Sequence, residues 1–516
     1  MMRRFLPILL LLVAVVAAPI LLRRNSELAA AGQAQDKLVI ITPHNETIRA
    51  EFAEAFARHW KEKTGRTLYI DWRIPGGTSD ITRSLNSAYD AAEELARKQN
   101  PGNPDEAVKK SGVDIDIFFG GGEPDFNGQM KRGRFVELEV FKTHPEWFKE
   151  NVIPAKFTGE NYYNPKQLWV GTCLSQMGIC YNTDSIKRLK IQAPRRWEDL
   201  ADPAYAGYVA LADPTKSGSV TRMFEMMIQE QMKAVIKEKG DSDAAKAEGW
   251  KRGINLLQAM AANARYFTDS ASKIPHDVAQ GDAVAGTCID FYGRSYEEKL
   301  GKRGPSRLLW TPPLGGTSIS VDPIAILRGA PHPEIAQEFV TFVLSDEGQL
   351  LWNVKVGTPG GPRETSPRRL PVRKDLYTVT NLPKFSDPNA FPYENSGGFE
   401  YDPALTSAAF NVLRQVYRAM CMDTHQEMKE AWELMRHQGD SLEEIAATPA
   451  GQVFFDSSHL SYERVMKELV PLLKRADDVK DVTAKLDISR EMTRISGIFR
   501  ENYKKAAALA KEGGRP

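Results

Sequence analysis

Between Tyr208 and Phe224 the chain reads YVALADPTKSGSVTRMF. A short apolar run stops at Asp213-Pro214, the polar loop Thr215-Lys216-Ser217-Gly218-Ser219 follows, and a helical pattern opens near Val220. The hydroxyl of Ser217 or Ser219 can accept from the first free N–H groups of that helix. Those N–H groups and the positive end of the helix dipole point the same way, which is the chemistry of anion binding. An ordinary capped helix has the same composition, so the loop needs company. Three more loops follow apolar runs: His44-Asn45-Glu46, Gly76-Gly77-Thr78-Ser79 and Gly120-Gly121-Gly122-Glu123. His44, Gly77, Thr78 and Gly121 are the candidate contacts in them, because glycine lets a backbone approach a ligand closely. A further run, Thr287-Cys288-Ile289-Asp290-Phe291-Tyr292, reads as a strand ending in a carboxylate and a phenol. Asp290 can cap a turn there and Tyr292 can pack, or both can contact a ligand.

Other chemistry finds less support. There is no G-x-S-x-G elbow and no H-E-x-x-H helix, and no catalytic residue is assigned. Cys421 and His425 stand one helical turn apart and His459 follows Ser457-Ser458, which reads as chance neighbourhood far from the glycine loops. A triad need not be local in sequence, so a secreted hydrolase stays open as an alternative. The four cysteines form no C-x-x-C pair, and both disulfides and buried thiols fit their spacing. Net charge is +1, with no basic run interleaved with aromatics, so nucleic acid is not an expected partner. The composition calls for no cofactor, and a monomer is expected.

Regular elements must position these loops. Leu38 to Ile41 is a continuous apolar run, as in a buried parallel strand. Thr47 to Lys63 has helical spacing, Leu68 to Ile74 alternates, Ser79 to Gln99 is helical, and Asp114 to Phe119 is a third strand. This order predicts an α/β fold with an open, largely parallel sheet. Ligands of such sheets bind beyond the carboxyl ends of the strands, where the loops above lie. Residues 1–31 carry Arg3-Arg4, an apolar run from Phe5 to Leu22 and the small residues Ala29-Ala30-Ala31, the pattern of a signal peptide or an uncleaved N-terminal anchor. Asn381 to Gly398 reads as a linker, and 402–437, 441 onward, 460–476 and 482–511 read as helices.

Three stretches resemble one family: Val170 to Asp184 (VGTCLSQMGICYNTD), Pro194 to Ser219 (PRRWEDLADPAYAGYVALADPTKSGS) and Ile319 to Gln349 (ISVDPIAILRGAPHPEIAQEFVTFVLSDEGQ). The chain resembles the periplasmic solute-binding proteins of ABC importers, type II, in the branch that takes ferric ion or phosphorylated solutes. The resemblance spans about residues 37–375, in the family's order. It implies a two-lobed α/β fold with a hinge, lobe 1 from 37–170 and 312–385 and lobe 2 from 171–311; past the resemblance, the helical patterns predict a C-terminal extension over 386–516. It also implies a periplasmic protein whose partner is an ABC permease in the inner membrane. In the ferric-binding relatives a His, an acid and two adjacent tyrosines hold the metal with an anion. His44 stands at a different spacing from the strand, and Phe291-Tyr292 replaces the tyrosine pair, so the metal donors the resemblance implies here are Tyr292, Asp290 beside it and His44, hard oxygens with one imidazole. Thr215, Ser217, Gly218 and Ser219 match the loop that holds phosphate groups. The implied ligand is therefore a phosphorylated or phosphonate solute, or a ferric ion transported with an anion. A binding lobe serving a signalling sensor is a third reading.

Overall fold

Leu38-Val39-Ile40-Ile41 offers no polar side chain to a surface, and it forms the buried end of β1 (Asp36–Ile41). The computed structural model describes residues 28–30, 32–302, 304–394, 396–476 and 481–513. Apart from residues 28–30, the expected leader or anchor lies outside them. The α/β rhythm continues as α1 (Glu46–Thr64), β2 (Leu68–Arg73), α2 (Thr78–Gln99), β3 (Ile117–Phe119) and α3 (Glu123–Lys131). β1 runs parallel to both β2 and β3. The third strand is shorter than its apolar pattern suggests. Asp114 takes a φ of 54°, which breaks the extended run. Asp116 is fully buried and accepts from the N–H of Val39 at 2.8 Å and of His332 at 2.6 Å. It pins the strand to a distant loop.

The chain continues through β4 (Val170–Asn182), β5 (Val209–Ala212), α4 (Gly218–Lys239), α5 (Asp243–Ala262), β6 (Ala264–Thr268), α6 (Lys273–Gln280), β7 (Ala285–Ile289), α7 (Asp290–Gly301), β8 (Leu308–Thr311), β9 (Ile319–Ile326), α8 (Pro333–Leu344) and β10 (Leu370–Pro371). The sheet has the order β2-β1-β3-β9-β4-β7-β5-β6, with β8 and β10 also pairing β4. β4 is the shared strand. Val170 to Gln176 pair with β9, and Met177 to Tyr181 pair with β7. One long strand thus joins a half built on β1–β3 to a half built on β5–β7. The strand expected to reach Tyr292 stops at Ile289. Asp290 opens α7 instead, because an acid in the first turn meets the positive end of the helix.

The C-terminal region is helical. Its main helices are α9 (Phe410–Tyr417), α10 (His425–Met435) and α11 (Val482–Gly513). The pattern expected to run from 402 to 437 is broken by a wide turn over Arg418–Met422. Ser441 caps the next helix, accepting from Glu444 N–H at 3.2 Å, while the Glu444 carboxylate accepts from Asp440 N–H at 2.8 Å. The region docks on α4 and α5: Trp250 Nε1 donates to Leu460 O at 2.8 Å, and Gln258 Nε2 donates to Phe454 O at 2.6 Å. All four cysteines are buried and unbonded. Among the described residues no helix is long and apolar enough to cross a membrane.

Candidate functional site

The two halves enclose a cavity of about 500 Å³. It lies beyond the carboxyl ends of β1, β2, β3, β5, β6 and β7, and each of those strands leads into a helix. The cap residues of those helices, Asn45, Gly77, Gly122, Ser217, Ser272 and Ile289, all line the cavity. Six helix starts therefore converge on one space. Asn45 Oδ1 satisfies Ile48 N–H at 3.1 Å and Ser217 Oγ satisfies Val220 N–H at 3.4 Å. The starts of α2, α3, α6 and α7 have no side-chain cap on their first N–H groups. Uncapped N–H groups at a helix start need an acceptor. A ligand rich in anionic oxygen meets that need at several starts together.

Of the residues singled out in the sequence, His44, Gly77, Thr78, Gly121, Ser217, Gly218, Ser219 and Tyr292 line the cavity. Thr215 does not. Its N–H and hydroxyl both donate to Asp213 Oδ1, at 2.8 and 2.6 Å, so it shapes the loop from behind. Asp290 is also outside the lining, 1% exposed, with its carboxylate 3.3 Å from Arg294. The three donors grouped in the sequence as a metal set are thus split: His44 and Tyr292 face the space and Asp290 does not. Among the described residues no three or more His, Cys, Asp and Glu side chains gather as a metal cage.

Protonation follows burial. His44 packs edge-on to Phe119 with ring centroids 4.7 Å apart, and burial drives its pKa well below the usual value. It is neutral at pH 7. A Cβ on Gly120 would stand 2.4 Å from His44 Nε2, so only glycine admits this packing. The Tyr292 phenol is pushed up to about 12 by burial and stays protonated.

Several lining residues were not read from the sequence. Arg222, one turn into α4, is buried among Glu225 at 3.0 Å, Glu160 at 3.3 Å and Glu123 at 3.7 Å. Its position one turn inside the serine loop is the local signal that points to it. Arg369 pairs with Asp322 at 2.8 Å and lies 3.9 Å over the Phe291 ring. Nothing local in the sequence links Arg369 to that strand. Glu160 is pushed up to about 7 by burial, against the pull of Arg222. Arg49 and Lys216 also line the cavity, and neither has a carboxylate at ion-pair distance among the described residues. They are the cations left for a ligand.

Comparison with known proteins agrees with this geometry. Residues 115–371 match the family model of bacterial extracellular solute-binding proteins. An uncharacterized protein of Haemophilus influenzae is 27% identical over 252 residues, 48% of this chain and 63% of that protein. The phosphoglycerate transport regulatory protein of Salmonella typhimurium is 23% identical over 187 residues, 35% of this chain and 40% of that protein. The matched part spans less than two-thirds of either relative. Among solved structures, the substrate binding protein of an ABC transporter from Agrobacterium tumefaciens superposes with a TM-score of 0.52 at 14% identity, covering 76% of this chain and 96% of that one. At that identity the likeness speaks for the fold, a two-lobed α/β fold of the type II periplasmic-binding class with a helical C-terminal extension. Over residues 115–371 the chain belongs to the bacterial extracellular solute-binding proteins.

Proposed function

We propose that this protein is exported and captures a small anionic solute between its two halves, without catalysis, for delivery to the inner-membrane permease of an ATP-driven importer. The observation that carries the reading is the convergence of six helix starts, four of them uncapped, on one cavity. A phosphorylated or phosphonate solute suits that geometry best, because its several oxygens can meet several starts. Arg49 and Lys216 supply charge without carboxylate partners. The relative described as a phosphoglycerate transport regulatory protein supports the same class of solute. A ferric ion held with an anion is less well supported, since Asp290 lies behind the wall and Tyr292 is the one phenol among the lining residues.

The test begins with native and elemental mass spectrometry on mature protein purified without denaturant. A phosphorus-containing adduct without iron is the expected outcome; stoichiometric iron would move the assignment to the ferric reading. Titration with phosphoglycerate then compares the unmodified protein with Ser217→Ala/Ser219→Ala. Each lost hydrogen bond to a charged group costs about 1.5–3 kcal/mol, so affinity should fall at least tenfold. The melting temperature is recorded alongside, because Ser217 also caps α4. Unchanged affinity in the double variant would remove the serine loop from the site. Turnover of a generic phosphoester would favour a hydrolase.

A further inference from the structure

The C-terminal extension reaches the cleft from both sides. Tyr401 N–H donates to Thr158 O at 2.9 Å, in the half built on β1–β3. The Tyr401 hydroxyl donates to Glu225 at 3.1 Å, in the other half, and the Arg222 guanidinium lies 4.0 Å over its ring. The approach is close: a Cβ on Gly159 would stand 1.9 Å from Tyr401 O. A second contact comes from α9. Arg414 Nη1 donates to Ser79 Oγ at 3.2 Å, and its Nε donates to Thr221 Oγ1 at 3.1 Å. Ser79 sits in the first turn of α2 and Thr221 in the first turn of α4. One guanidinium therefore joins two of the helix starts that face the cavity, one from each half. Phe410, a turn earlier, lines the cavity, and the Arg414 guanidinium lies 4.5 Å over its ring.

Gly218 marks the junction. A Cβ there would be 3.0 Å from Asp125 Oδ2 and 3.3 Å from Arg414 Nη2. Both of those atoms are buried and lack a hydrogen-bond partner. The two hydroxyls that Arg414 meets cannot neutralise it, and Asp125 stands beyond ion-pair distance. A buried cation thus sits beside the serine loop with its charge incompletely compensated.

We propose that the extension forms a third wall of the solute site, with Phe410 facing the solute and Arg414 as the positioning residue that ties the starts of α2 and α4 together. This deepens, and rests on, the reading of the cavity as a solute site. In a two-lobed binding protein the closed form must be stabilised by the ligand or by contacts already present. Arg414 supplies a contact of the second kind, which raises the fraction of molecules ready to bind.

The test uses the full-length protein. Hydrogen exchange without added solute is followed at residues 78–81 and 219–222, with α5 amides as the internal reference. Arg414→Ala should speed exchange at both helix starts by about tenfold more than at α5. Ser79→Ala, which keeps the extension whole, should speed the α2 start alone. Arg414→Lys should restore part of the protection, since an ammonium keeps the charge but not the fork of donors. Phe410→Ala should weaken phosphoglycerate binding several-fold by calorimetry. Unchanged exchange in Arg414→Ala and Ser79→Ala, or unchanged affinity in Phe410→Ala, would overturn the proposal. Failure of the unmodified protein to bind phosphoglycerate or inorganic phosphate would count against the proposed solute class instead. The exchange experiment would still decide whether Arg414 ties the two halves.

Discussion

Gly77 has φ −72° and ψ 175°, a conformation open to any residue, so its own backbone does not require glycine. The requirement comes from across the cleft. A Cβ on Gly77 would stand 2.9 Å from the carbonyl oxygen of Lys216, in the loop that opens α4. Gly77→Ala should therefore spare the fold of its own half and obstruct closure. Forced overpacking costs about 1–3 kcal/mol, so solute affinity should fall by about fivefold or more, with a lower melting temperature because Arg414 holds the halves together; equal affinity by calorimetry would mean that the halves need not meet here. Glu160 gives a second prediction at this scale. It is 1% exposed, accepts from Ser318 Oγ at 2.7 Å, and is raised by burial from an ordinary 4.5 to about 7. The folded protein then holds a proton that the unfolded chain has released. The stability from this group is complete below about pH 4.5 and is lost as pH rises through about 7. Glu160→Gln keeps an acceptor for Ser318 and cannot titrate. Its stability relative to the unmodified protein should rise between pH 5 and pH 8 in denaturant melts. The neutral His44 and His425 titrate in both proteins and cancel in the difference. A flat difference would mean that Glu160 is ionised throughout.

At the scale of elements, a buried asparagine helps join α5 to α10. Asn263 is fully buried, accepts from Trp432 Nε1 at 2.7 Å, and donates to Leu200 O at 3.0 Å and Asp202 O at 2.7 Å. Asn263→Ala would leave Trp432 Nε1 and Leu200 O, both in buried residues, without this partner, each costing about 1–3 kcal/mol. A loss of about 2 kcal/mol or more in chemical denaturation is expected; a loss below about 1 kcal/mol would mean that the extension bears little on the second half. The same asparagine marks where sequence reading stopped. The apolar run at Leu38–Ile41 and the polar loop before Val220 are local patterns, and they were legible because a buried strand and a helix start each need particular neighbours. Asp290 was misread because an acid after an apolar strand can end that strand or begin a helix, and only the packing of α7 decides. Arg369 and Arg414 were invisible for a different reason. Their roles depend on Asp322 and on Ser79, which lie far away in the chain, and periodicity reports which face of an element is buried but not what covers it.

At the scale of the whole molecule, the extension changes what unfolding should look like. Two lobes joined by a hinge often share little packed surface, and each can then melt on its own. Here the buried apolar residues form one continuous cluster that runs from Leu38 in the first strand to Ala510 in the last helix. The extension contributes much of the link. Tyr503 joins Gln258 at 3.0 Å and Met420 O at 3.0 Å, binding α11 to α5 and to the turn after α9. Tyr401 and Arg414 carry the connection to the first half. A unit that cannot lose its extension without exposing α4 and α5, and cannot part its halves without breaking the Tyr401 and Arg414 contacts, should unfold as a whole. Scanning calorimetry of the full-length protein should give a single transition, with the calorimetric enthalpy close to the van't Hoff value. Arg414→Ala should lower the midpoint and, by uncoupling the first half, broaden the transition or split it. Two well-separated transitions in the unmodified protein would instead mean that the extension packs against one half without tying it to the other, and that the halves open as freely as their single shared strand allows.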